Sequence, residues 1–151
     1  MTGPFMCNPA LAELAFFVGD WDMALSGASF LPDPEQIIHG HLGVSWIEDG
    51  ALLAMHQGKE SPTPASASWI IGRDEASPDY SVFYTDDRGV SRIYEMSLTG
   101  ATWKLWRDNA EFAQRFQATV GNDQNSMLGH WQKAIAGQEW EHDFNVTYTR
   151  S

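Results

Sequence analysis

The sequence predicts an all-β fold: a single antiparallel up-and-down β-barrel of about ten strands, with a short N-terminal helix closing one end. Three observations carry that expectation. Gly19-Asp20-Trp21 opens the first strand-like segment, and Tyr148-Thr149-Arg150 ends the last one. If those segments pair, the sheet closes on itself, with the Trp21 ring plugging one end and the Arg150 guanidinium stacked over it as a structural clamp. Between them, turn residues recur at short intervals and set off about ten segments rich in β-branched and aromatic types, the mark of a β-meander. The final segment, lastly, alternates in strand fashion from Trp140 to Arg150.

In chain order, residues 1–8 read as a tail. Asn8-Pro9 pairs an N-cap with proline at the first helical position. Leu11, Leu14 and Phe17 then recur at helical spacing, so residues 9–17 form the short helix and residues 18–150 the barrel. Turn signals stand at residues 31–34, 48–50, 59–66, 74–78, 86–89, 99–100, 108–111, 121–125 and 136–138. The longest connections are 26–34 and 58–66, and Pro62 and Pro64 make the second an extended flap. One domain spans residues 1–151, with no internal repeat.

Alternation assigns faces. On the last strand Trp140, His142, Phe144, Val146, Tyr148 and Arg150 share the inward face. On the second, Ile38, Gly40, Leu42, Val44 and Trp46 point in, which leaves His39 and His41 outside. Arg92, Tyr94, Met96 and Leu98 form one inward set, and Trp103, Leu105 and Arg107 another.

Composition narrows the function. Apolar residues make up 43% of 151, enough for a folded core and without a run long enough to span a bilayer. A net charge of -11, with nine basic residues scattered along the chain, argues against nucleic acid and anionic membranes. Cys7 is the one cysteine, which excludes an internal disulfide and fits a reducing cytoplasm. The first residues lack a secretory pattern. Seven tryptophans point either to a ring-filled core or to a ring-lined cavity.

Gly19-x-Trp21 with Arg150 resembles the signature of the calycin superfamily, the lipocalins and fatty-acid-binding proteins among them. The chain is further similar to an uncharacterised family of small bacterial calycin-like proteins related to the nitrobindin barrel. The matching residues are Ile71-Gly72-Arg73-Asp74, Tyr84-Thr85-Asp86-Asp87-Arg88-Gly89-Val90, Arg92-Ile93-Tyr94, Gln114-Arg115-Phe116, Gly129-His130-Trp131 and the run from Trp140 to Arg150. The resemblance implies a barrel around a cavity, and no particular activity. Nitrobindin-like relatives hold haem through a last-strand histidine, so it also implies His142 as a haem ligand.

The residues themselves call for no cofactor and no metal. The expected partner is a small hydrophobic or amphipathic molecule, and a homodimer is allowed for. His142, placed toward the open mouth, is a ligand contact, a general base or a satisfied core histidine. Arg92, Tyr94 and Arg107 would hold an anionic or polar ligand end, as interior Arg and Tyr do in fatty-acid-binding barrels, unless either arginine sits at a rim. Tyr84 and Gln114 are polar lining candidates, and Trp46, Trp69, Trp103, Trp131 and Trp140 are candidates for an aromatic wall. No nucleophile elbow, phosphate loop or zinc motif occurs. The alternatives to simple binding are a haem protein, an enzyme isomerising or cyclising a hydrophobic substrate, and a filled structural barrel.

Overall fold

The computed structural model describes residues 8–33, 35–59 and 66–151. Cys7 and the expected flap around Pro62 and Pro64 lie outside those residues. Ten antiparallel strands follow the N-terminal helix: β1 (Gly19–Ser26), β2 (Ile38–Ile47), β3 (Leu52–Lys59), β4 (Ser66–Gly72), β5 (Tyr80–Asp86), β6 (Ser91–Thr99), β7 (Thr102–Arg107), β8 (Phe112–Val120), β9 (Ser126–Ile135) and β10 (Glu141–Arg150). Each pairs with its neighbours in sequence, and β1 pairs with β10, so the sheet is a closed barrel.

The closure runs through the expected residues. Trp21 and Arg150 face each other in the β1–β10 register. The guanidinium lies 4.0 Å from the centroid of the Trp21 ring. It also donates to the carbonyls of Val18, Phe16 and Gln124 at 2.7 to 3.0 Å. These carbonyls lie at the end of the helix and in the β8–β9 turn, outside any strand ladder, and one planar cation satisfies all three at once.

The helix over Pro9–Phe17 is a 3₁₀ helix, capped by the Asn8 side chain, which accepts from the Ala10 N–H. Leu11, Leu14 and Phe17 are spaced by three, the 3₁₀ period, so they fall in one row, and all three are fully buried. That row stoppers the barrel at the Trp21 end. Besides the Arg150 bond to Phe16, four polar ties fasten it: Trp21 Nε1 donates to the Phe17 carbonyl, Arg73 Nη1 to the Ala10 carbonyl, Asn8 Nδ2 to the Arg73 carbonyl, and the Tyr80 hydroxyl to Glu13.

Two glycines are required by close approach. A Cβ on Gly40 would meet the Gly58 carbonyl oxygen at 2.4 Å, and one on Gly129 would meet the Phe116 ring at 2.7 Å. Side-chain-free positions on the inner face let neighbouring large side chains lie flat against the wall.

The alternation read from the sequence holds on β2, where His39 and His41 are exposed, and on β10 from Phe144 to Tyr148. It fails at the start of β10. The β9–β10 register slips between His142 and Phe144, a bulge in which Asp143 is the extra residue. Asp143 is drawn inward, accepting from the Ser29 hydroxyl and backbone N–H and lying 3.5 Å from Lys133 Nζ. His142 is consequently turned to solvent, contrary to the expected inward placement. Trp140, also expected inside, precedes the strand and lies on the outer face, with the Arg115 guanidinium 4.1 Å over its ring.

Candidate functional site

The barrel encloses a cavity of about 530 Å³, within the range that holds small organic ligands. Its lining runs from Met23, Leu42, Ile71 and Tyr148 near the plugged end to Phe30, Asp86, Arg88, Phe112 and Lys133 at the far strand ends. The mouth is therefore opposite the 3₁₀ plug.

Rings cross the middle of this space. Trp69 on β4 packs against Tyr84 and Tyr94, with centroids 4.4 and 5.4 Å away. Trp131 on β9 meets Tyr94 at 5.9 Å and Phe116 at 5.0 Å. Trp103 lies deeper, 4.9 Å from Phe116 and 4.8 Å from Phe17 of the plug. Such a lining offers large faces for a flat molecule at little entropic cost.

Polar groups cluster in three places. Arg88 donates to Asp86 through Nη2 and Nε at 2.6 and 3.2 Å, and the Tyr84 hydroxyl donates to the same carboxylate at 2.7 Å. The Arg88 hydrogen bonds hold the Asp86 carboxyl well below the usual range, and Tyr84 adds to that effect. Burial, then the neighbouring Asp86, pushes the Tyr84 phenol up. Arg88 is thus neutralised. The second cluster is Lys133 with Asp143 and Ser29.

The third cluster lacks an acid. Gln114, buried on β8, accepts from the Tyr94 hydroxyl and, at 3.4 Å, from Arg92 Nη1. The Arg92 guanidinium also sits 5.1 Å over the Phe112 ring. Among the described residues no carboxylate pairs with Arg92. Burial raises the Tyr94 phenol, so it stays neutral and able to donate.

Of the residues singled out from sequence, the cavity brings together Arg92, Tyr94, Tyr84, Gln114, Trp69, Trp131 and Trp103, while Trp46 does not line it. His142 and Trp140 are outside it. Arg107 is also outside, because its Nε is spent on the Phe112 carbonyl and its side chain borders an outer groove beside Trp106. Asp86, Arg88, Lys133 and Asp143 were hidden by their context: the first two read as turn residues, and Asp143 read as an outward polar residue.

Haem held by a last-strand histidine does not fit this lumen. All five histidines of the chain are exposed, and none lines the cavity. Among the described residues no cluster of His, Cys, Asp and Glu could hold a metal ion. No helix among them is long and apolar enough to cross a membrane.

No protein-family model matches the chain, and no curated protein matches it. Solved structures do share its fold. The crystal structure of Rv2717c from M. tuberculosis superposes with a TM-score of 0.70 at 15% identity, covering 95% of this chain and 98% of that one. The S-type phycobiliprotein lyase CPES from Guillardia theta gives a TM-score of 0.61 at 11% identity, over 93% of this chain and 92% of the other. At such identities the likeness establishes the architecture, and the protein is a calycin-like ten-stranded barrel.

Proposed function

We propose that the barrel binds a small amphipathic molecule, its flat conjugated or aromatic body among the rings of the lumen and an anionic end, such as a carboxylate, on Arg92. One observation carries the reading: Arg92 borders an aromatic-lined cavity with no carboxylate partner among the described residues, whereas Arg88 and Lys133 at the same mouth have Asp86 and Asp143. A cation beside apolar walls costs free energy unless it is paired. A ligand carboxylate supplies that pairing, in the bidentate geometry a guanidinium favours.

The walls supply most of the affinity. At ~25 cal/mol per Å², burying 200 Å² of apolar ligand surface contributes on the order of 5 kcal/mol before the costs of association. That a phycobiliprotein lyase shares the fold is compatible with small-ligand binding.

The test is a fluorescence titration with anilinonaphthalene sulfonate, an aromatic anion built on a flat naphthalene ring. Saturable binding is expected, weakened about tenfold in Arg92→Met through loss of a charge-assisted pair. Arg115→Met, on the outer face, should leave it unchanged. Absence of saturable binding, or equal affinity in Arg92→Met, overturns the reading.

A further inference from the structure

The inner end of the cavity carries two polar groups that a mouth-facing anion leaves unused. Trp103 on β7 is 3% exposed and lines the cavity, and its indole Nε1 is buried with no hydrogen-bond partner among the described residues. Tyr148 on β10 is 6% exposed and lines the same space, its ring centroid 6.3 Å from that of Trp103.

Burial alone pushes the Tyr148 phenol up, with no hydrogen-bonded neighbour contributing. The other three tyrosines each donate to a side chain: Tyr80 to Glu13, Tyr84 to Asp86 and Tyr94 to Gln114. Trp21 and Trp106 likewise place their N–H groups on the Phe17 carbonyl and on Glu95. Unsatisfied donors are rare in folded proteins because each costs free energy. Here the Trp103 Nε1 is one, and the neighbouring Tyr148 ring carries a hydroxyl that makes no hydrogen bond among the described residues, at the blind end of a cavity.

We infer that Trp103 and Tyr148 form a two-point anchor for a neutral hydrogen-bond acceptor, the carbonyl of a ketone, amide or ester, at the inner end of the ligand. The inference rests on the amphipathic-ligand reading above and specifies the second end of that molecule. An indole N–H can only donate, so the shared partner is an acceptor. Among the described residues, the surrounding inner wall, with Met23, Leu42, Met55 and Ile71, holds no cation, so an anion there would forfeit its hydration without compensation.

The spacing defines a length. Trp103 faces Leu98 in the β6–β7 register, six residues along β6 from Arg92. That is about 20 Å of strand, or about 15 Å along the axis of a barrel tilted by about 40°, before the two side chains reach toward each other. The ligand class is a flat carboxylate with a neutral carbonyl at its opposite end.

A matched pair of probes tests this: para-acetylbiphenyl carboxylate and its para-ethyl counterpart, which differ by one carbonyl oxygen at the far end. Calorimetric titration of the intact protein should show about fivefold tighter binding of the acetyl compound, the scale of one net hydrogen bond. In Tyr148→Phe and in Trp103→Phe that preference should shrink, with binding of the ethyl probe retained as proof that the cavity is intact. In Arg92→Met both probes should weaken together and the preference should persist. Equal affinities in the unmodified protein, or an undiminished preference in either aromatic variant, overturn the anchor alone. Failure of both probes to bind overturns the anchor and the amphipathic-ligand reading together.

Discussion

Trp69 and Trp131 stack across the lumen, with ring centroids 6.0 Å apart and planes inclined by 27°. They sit on β4 and β9, strands on opposite walls of the ring. Their contact therefore bridges the barrel and narrows the passage between mouth and inner end. A flat ligand that slides between them must part the rings to about 7 Å, the outer limit of direct ring contact.

Circular dichroism reads that separation. Two indoles this close couple, so the intact protein should show an exciton signal that Trp69→Phe removes. Saturating para-acetylbiphenyl carboxylate should diminish the same signal in the unmodified protein. A signal unaltered by saturating ligand would place the ligand beside the tryptophan pair and not between its members.

The clamp that closes the sheet should be costly to remove. Arg150→Ala deletes the stacking on Trp21 and strands the carbonyls of Val18, Phe16 and Gln124. Charge-assisted hydrogen bonds and a cation–π contact, partly screened by solvent, together predict a loss of about 2–4 kcal/mol in urea unfolding. Arg150→Lys should recover little, since an ammonium cannot span those acceptors. Full recovery in the lysine variant would show that charge alone matters.

All four tyrosines of the chain have phenols raised above the ordinary value of 10.0, in each case through burial first. A raised acid favours its neutral form in the folded state. The resulting stability is complete below pH 10 and is lost as pH rises from there toward the folded values. An alkaline titration should show little tyrosinate absorbance around the ordinary value, followed by a steep rise coincident with unfolding. Gradual ionisation of one or more tyrosines at pH 10 in the folded protein would contradict the burial.

Closure, strand number and plug were legible because each rests on short-range rules: turn residues at intervals, period-two alternation, and a Gly-x-Trp and an Arg at the two ends. The cavity's polar plan was only half legible. Arg92, Tyr94 and Gln114 fall inside because β6 and β8 keep an unbroken register. Asp143 falls inside because Ser29 and Lys133 hold it there, the first of them 114 positions away in sequence. No local pattern announces such a bulge, and once it forms, the alternation upstream of it inverts. Trp140 was misplaced for a related reason, since its partner Arg115 belongs to another strand. The stacking of Trp69 on Trp131 depends on the diameter of the closed ring, which no strand encodes alone.

The bulge separates two neighbouring residues by function, and substitutions should tell them apart. His142 faces solvent, so His142→Ala should leave binding of anilinonaphthalene sulfonate within about twofold, as for surface changes generally. Asp143 lines the mouth and pairs with Lys133. Asp143→Ala removes a negative charge beside the entry path and frees the lysine ammonium, so affinity for the anionic probe should rise by about two- to fivefold, an effect that added salt diminishes. The same substitution forfeits the bond from the Ser29 hydroxyl, and the unfolding midpoint should fall while binding improves. Were His142→Ala to weaken the probe tenfold with Asp143→Ala neutral, the histidine would have to occupy the lumen, and the register between β9 and β10 described above would be wrong.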